Sequence, residues 1–270
     1  MKHNLKIITI LLVLFFLAQF IGLIVTSAYM ISPELPLNIE RPEMDEGTTS
    51  ISLFMLIVVV TLLAILLINM KFFRFWRLWF LASVFLTLTI SFFAFIKNET
   101  VAIVMALVLA LWKVYRSNII IHNLTEVFIY GALAVIFAPL LNIFFVAILL
   151  VAISVYDYIA VRKTKHMIKL AKAQSQAKVF AGILVPYGKK SAILGGGDIA
   201  FPLLFAAVIM QDFGLSLFNP ITYIVPVCVS IALAILFLKG EPKKFYPAMP
   251  YLTVGCFVGY GLVLLFSAIL

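Results

Sequence analysis

Nine apolar runs set the first constraint on this chain. They fall at about 5–28, 50–70, 75–96, 100–115, 121–138, 140–161, 191–210, 219–238 and 248–269. A bilayer core about 30 Å thick takes about 20 helical residues to cross. Backbone in lipid must satisfy its own hydrogen bonds, so these runs are predicted to be membrane helices. Composition agrees: 65% of the 270 residues are hydrophobic and 11% are charged, where soluble domains carry about 25% charged residues. The chain therefore reads as an all-α polytopic membrane protein with nine transmembrane helices. The fourth run is short, and Pro139 in "APLLN" separates the fifth from the sixth. The first run exceeds the ~7–15-residue core of a signal peptide and is read as a retained helix, with cleavage after it as the alternative.

Charge orients the runs. Loops on one side hold Lys2 and Lys6; Lys71, Arg74 and Arg77; Lys113 and Arg116; the stretch from Arg162 to Lys190; and Lys239, Lys243 and Lys244. Together these make 18 of the 20 basic residues. The other loops hold Arg41 and Lys97 among Glu34, Glu40, Glu43, Asp45, Glu46, Glu99 and Asp212. Basic loops face the cytoplasm, so the N-terminus is expected inside and the C-terminus outside. The net charge of +9 then belongs to a basic membrane face, and no nucleic-acid partner is expected. Residues 162–190 divide the chain into a six-helix part (1–161), a basic cytoplasmic loop (162–190) and a three-helix part (191–270). The loop reads as a solvated linker, with a regulatory or gating role as the alternative. Cys228 and Cys256 lie in apolar runs without metal-type spacing and read as small buried hydrophobes.

Three acids remain inside the apolar runs: Glu126, Asp157 and Asp198. Such residues are costly in lipid and usually functional. Asp157 lies five residues before Arg162, about 7.5 Å along a helix. Asp198 lies eight residues after Lys190, roughly 12 Å if helical. Consecutive helices thus carry both at similar depth in the cytoplasmic half. Two carboxylates that meet in a low-dielectric site share one proton. The ionised one can activate water and the protonated one can polarise a carbonyl, which suits amide hydrolysis. A structural polar pair and the proton relay of a coupled transporter fit the same two acids. Glu126 sits near the cytoplasmic boundary and is left out of the site, and His122 reads as interfacial.

Two further segments lie at this depth. Gly195, Gly196 and Gly197 precede Asp198 and permit unusual backbone angles or close approach of another backbone. A scissile peptide must be extended to be cut, and an exposed strand-like edge could hold it by β-augmentation. Pro247 and Pro250 open the ninth run, where an ordinary proline-started helix is the plainer reading.

Together, "SVYDYIAV", "GGGDIAFP" and "YPAMP" resemble the YD, GxGD and PAL motifs of the presenilin and signal peptide peptidase family. The nine-run layout is similar too. The variable GxGD position is Gly196, and PAL reads PAM. "DIAFP" is more similar to the signal peptide peptidase branch, while the orientation is similar to presenilin, which suggests a microbial, archaeal homologue. The resemblance implies an intramembrane aspartyl endopeptidase in the cell membrane. Asp157 and Asp198 would be catalytic. Tyr156, Gly195, Gly196, Gly197, Pro247, Ala248 and Met249 would shape the site and bind substrate. It implies transmembrane-helix substrates and no cofactor or metal; a homo-oligomer is compatible. The sequence has no HExxH or GxSxG pattern, which disfavours zinc and serine chemistry. The layout and the PAM segment also count against a prepilin-peptidase-like enzyme.

Overall fold

The computed structural model describes residues 5–32, 34–40, 73–116, 118–164, 180–187, 190–240 and 246–269, with Ser52, Met55, Val59 and Leu63. Most of the second apolar run, and residues 165–179 of the basic loop, lie outside the described residues. Eight α-helices are described: α1 (Leu5–Ile31), α2 (Phe73–Ile96), α3 (Glu99–Tyr115), α4 (Ile119–Phe137), α5 (Ile143–Ile159), α6 (Gly196–Asp212), α7 (Ile224–Lys239) and α8 (Met249–Ile269). Among the described residues, six segments are long and apolar enough to cross a membrane: Leu5–Ile31, Arg74–Ile96, Ile119–Leu140, Ile143–Arg162, Pro220–Lys239 and Met249–Ile269. The other two helices, α3 and α6, have 17 residues each.

Asparagines start several of these helices. The side chains of Asn98, Asn118 and Asn142 each accept a backbone N–H from the first turn of α3, α4 and α5. That satisfies donors a helix start leaves open. Pro139 ends α4 in a short 3₁₀ turn, Ala138–Leu140, because its ring cannot continue the ladder. After α5 the backbone widens into a π-type turn, Ala160–Thr164.

Helix α6 is the centre of the molecule. It packs against α1, α4, α5, α7 and α8, and every residue from Leu203 to Met210 is buried. A helix apolar all round is stable only where neighbours enclose it, and "LLFAAVIM" meets that condition.

The seventh run departs from expectation. It does not begin as a helix at 191. Residues Gly182–Tyr187 (β1) and Lys190–Gly195 (β2) form an antiparallel hairpin, and α6 starts only at Gly196. The all-α bundle thus carries one two-stranded hairpin, and Asp198 lies on the first turn of α6 rather than eight residues into a helix. Burial gives the reason. Ile183, Val185, Ala192 and Leu194 are all 5% exposed or less, while Ile193 is 53% exposed. A period of two is a strand pattern. Gly195 itself is extended, with φ −66° and ψ 149°, so the helix cannot start earlier. The hairpin packs on α1, α4 and α6.

Candidate active site

Asp157 lies in the last turn of α5 and is 7% exposed. Its Oδ2 accepts the Met249 backbone N–H at 3.1 Å, and the Ala248 N–H also reaches the carboxylate. Met249 is the first residue of α8. A helix start offers unpaired N–H groups and a partial positive charge, both suited to an anion. The prolines make this start sharp. Pro250 falls where an N–H would have no helical partner, and the Ala248 carbonyl accepts from Tyr251 and Leu252 at 3.0 and 3.1 Å. Ala248 and Met249 are therefore brought against Asp157, with Pro247 the residue before them in the chain.

Ser154 Oγ and Thr253 Oγ1 lie 2.6 Å apart. They tie α5 to α8 one turn from Asp157 and one turn from Met249. The sequence reading missed this pair, although Ser154 shares a helix face with Asp157 by i, i+3 spacing. Tyr156 is half-buried, about 100° round the helix from Asp157.

Asp198 is half-buried in the first turn of α6. A Cβ added to Gly195 would stand 3.3 Å from Asp198 Oδ2, and one added to Gly196 would stand 3.1 Å from the Tyr130 hydroxyl and 3.4 Å from the Ala181 carbonyl. A Cβ on Gly197 would touch only the Phe201 ring, at 3.4 Å. The positive-φ glycines described are Gly182 and Gly214. The three glycines before Asp198 thus serve close approach rather than unusual backbone angles. Contacts of α5 with α6, and of α6 with α8, bring the helices bearing both aspartates and the PAM segment together.

Lys113 and Glu126 correct the charge reading. Lys113 is not a loop cation. Its Nζ lies 2.6 Å from Glu126 Oε1, and each side chain is 1% exposed. Tyr130 OH donates to the other Glu126 oxygen. His122 is not a free interfacial residue either; its ring bonds the Gly182 carbonyl at 2.8 Å. The available signal was an acid in an apolar run, which demands a partner.

The sequence model described as signal-peptide peptidase, presenilin aspartyl protease matches residues 12–190, two thirds of the chain. The chain belongs to the signal-peptide peptidase and presenilin aspartyl protease family. It is accordingly an aspartic protease and a multi-pass membrane protein. The matched residues include Asp157 and stop short of Asp198. No curated protein sequence matches. The fold is similar to that of a presenilin family intramembrane aspartate protease solved in two crystal forms. The C222 form has 19% identity and a TM-score of 0.65, covering 93% of this chain and 94% of that one. The P2 form has 18% identity and a TM-score of 0.65, covering 95% and 96%.

Proposed function

We propose that this aspartic protease hydrolyses peptide bonds of transmembrane segments with Asp157 and Asp198 as a proton-sharing dyad. The observation that carries the reading is the seating of Asp157 on the first N–H groups of α8, with Asp198 in the first turn of α6, a helix that packs against both α5 and α8. The ionised carboxylate takes a proton from a water as the water oxygen bonds to the scissile carbonyl carbon. The protonated carboxylate gives its proton to the carbonyl oxygen. Collapse of the tetrahedral species breaks the C–N bond. The nitrogen leaves with the dyad's proton while a hydroxyl of the tetrahedral species returns its own to the other carboxylate, so the pair again holds one proton.

The hairpin supplies a place for the extended substrate. Leu184 pairs with Ile193 and Gly182 with Gly195. Gly182 and Leu184 turn their N–H and C=O groups toward α4, so by antiparallel alternation Ile193 and Gly195 turn theirs to the opposite edge. Among the described residues the sheet has two strands, and that edge leads directly to Asp198. An unwound substrate segment adds there as a strand. Tyr156 and the PAM residues line the other side. The enzyme crosses the cell membrane nine times, with the N-terminus cytoplasmic, six helices before the basic loop and three after the hairpin.

The test is reconstitution in liposomes with a single-span substrate. Asp157→Ala and Asp198→Ala are each expected to abolish cleavage while helical content and thermal midpoint are retained. Undiminished cleavage by either variant would sink the dyad.

A further inference from the structure

The outer edge of β1 is already occupied, and not by a strand. Glu126 Oε2 accepts the Gly182 N–H at 2.9 Å, and the His122 ring lies 2.8 Å from the Gly182 carbonyl. A carbonyl only accepts, so His122 Nε2 carries the proton. Asn123 takes the next pair: its Oδ1 accepts the Leu184 N–H at 2.9 Å and its Nδ2 donates to the Leu184 carbonyl at 2.7 Å. The N–H and C=O groups of residues two apart are those a neighbouring strand would engage. Three side chains from the start of α4 engage them instead.

Glu126 is the best held of the three. It pairs with Lys113, and Lys113 Nζ also donates to Thr125 Oγ1 at 2.9 Å. Tyr130 donates to Glu126 with the same hydroxyl that stands against Gly196. An ion pair buried this deeply is weak evidence for stability, because desolvation offsets the attraction and an apolar pair often does as well. Its geometry points to another use. Gly182 pairs with Gly195, three residues before Asp198, so a shift at Gly182 is carried to the carboxylate.

We propose that the start of α4 acts as a surrogate strand, with Glu126 as a positioning residue that clamps Gly182, closes the β1 edge to peptide and holds Asp198 in place. The clamp leaves the β2 edge as the one an incoming strand can use. This rests on the protease reading of Asp198.

The experiment uses the full-length enzyme in liposomes and compares two charge-neutral variants. Lys113→Met with Glu126→Leu removes both the charge pair and the acceptor for Gly182. Lys113→Met with Glu126→Gln removes the charges and keeps an acceptor. Amide hydrogen exchange of the 182–195 segment and kcat on a single-span substrate are both measured. The Leu variant is expected to exchange at least tenfold faster in the hairpin, with α6 unchanged, and to lose at least tenfold in kcat. The Gln variant is expected to recover most of both. Unchanged hairpin exchange in the Leu variant overturns the clamp, and faster exchange with undiminished kcat overturns its link to Asp198. Should the Leu variant not fold, Asn123→Leu opens the same edge at Leu184 without touching the charges, and absence of faster exchange there also overturns the proposal. A wild-type enzyme that cuts no substrate sinks the protease reading, while exchange still decides the clamp.

Discussion

Replacement of Gly182 by alanine tests how tightly the hairpin governs the chemistry. Gly182 has φ +139°, in a region that L-residues with a Cβ rarely adopt. A Cβ there would lie 2.2 Å from the Leu194 carbonyl oxygen and 2.8 Å from the Phe180 ring. An ordinary C···O contact is about 3.3 Å, so the two strands must part by about 1 Å at this point. The backbone strain alone costs about 1–3 kcal/mol, which leaves a membrane-embedded bundle folded. The displacement falls on Gly195, the register partner of Gly182, and from there on Asp198. Misplacement of about 1 Å in a catalytic constellation costs about 10²-fold in rate. Gly182→Ala is therefore expected to lower kcat about 100-fold with helical content retained. Initial rates on a single-span substrate in liposomes measure the first, and circular dichroism checks the second. A folded Gly182→Ala enzyme cleaving within about twofold of wild type would refute the coupling of hairpin to carboxylate.

Further outcomes are expected. The rate of cleavage should follow a bell-shaped pH profile, because acid protonates both carboxylates and removes the base while alkali ionises both and removes the acid; a flat profile from about pH 4 to about pH 9 contradicts a shared proton. Gly196→Ala crowds the Tyr130 hydroxyl and should lower kcat, and adding Tyr130→Phe should restore part of it; simple addition of the two losses would show that the contact is not the cause. Ser154→Ala and Thr253→Val should couple in a double-mutant cycle by about 0.5–3 kcal/mol, read as thermal stability, and full additivity would argue against the α5–α8 tie. Glu126→Ala alone strands Lys113 in the interior and should destabilise by about 3–5 kcal/mol, with a smaller loss when Lys113→Met accompanies it.

The sequence made the membrane class legible because runs of spanning length have few other uses. It made Asp157 and Asp198 legible as candidates because a carboxylate in such a run needs a reason. Pro247 and Pro250 marked the start of α8, although not the carboxylate that sits on it. The hairpin was hidden. "KSAILG" is a short apolar stretch leading into a helix, and periodicity cannot tell such a stretch from the helix itself. Its partner "GILVPY" lay within a segment read as a basic loop. Lys113 was hidden for a related reason: beside Arg116, near the end of a run, it resembles any loop cation. Only the fold shows that its ammonium points inward to Glu126.

The seat of Asp157 has one more consequence. Its carboxylate fastens the end of α5 to the first amides of α8. Helix α6 is enclosed by five neighbours, α8 among them. Any parting that carries α8 away also strips Asp157 of its donors. On the proposed dyad, a substrate admitted by moving α8 would be cut only after α8 returns, so the enzyme would be disarmed for as long as that door stood open.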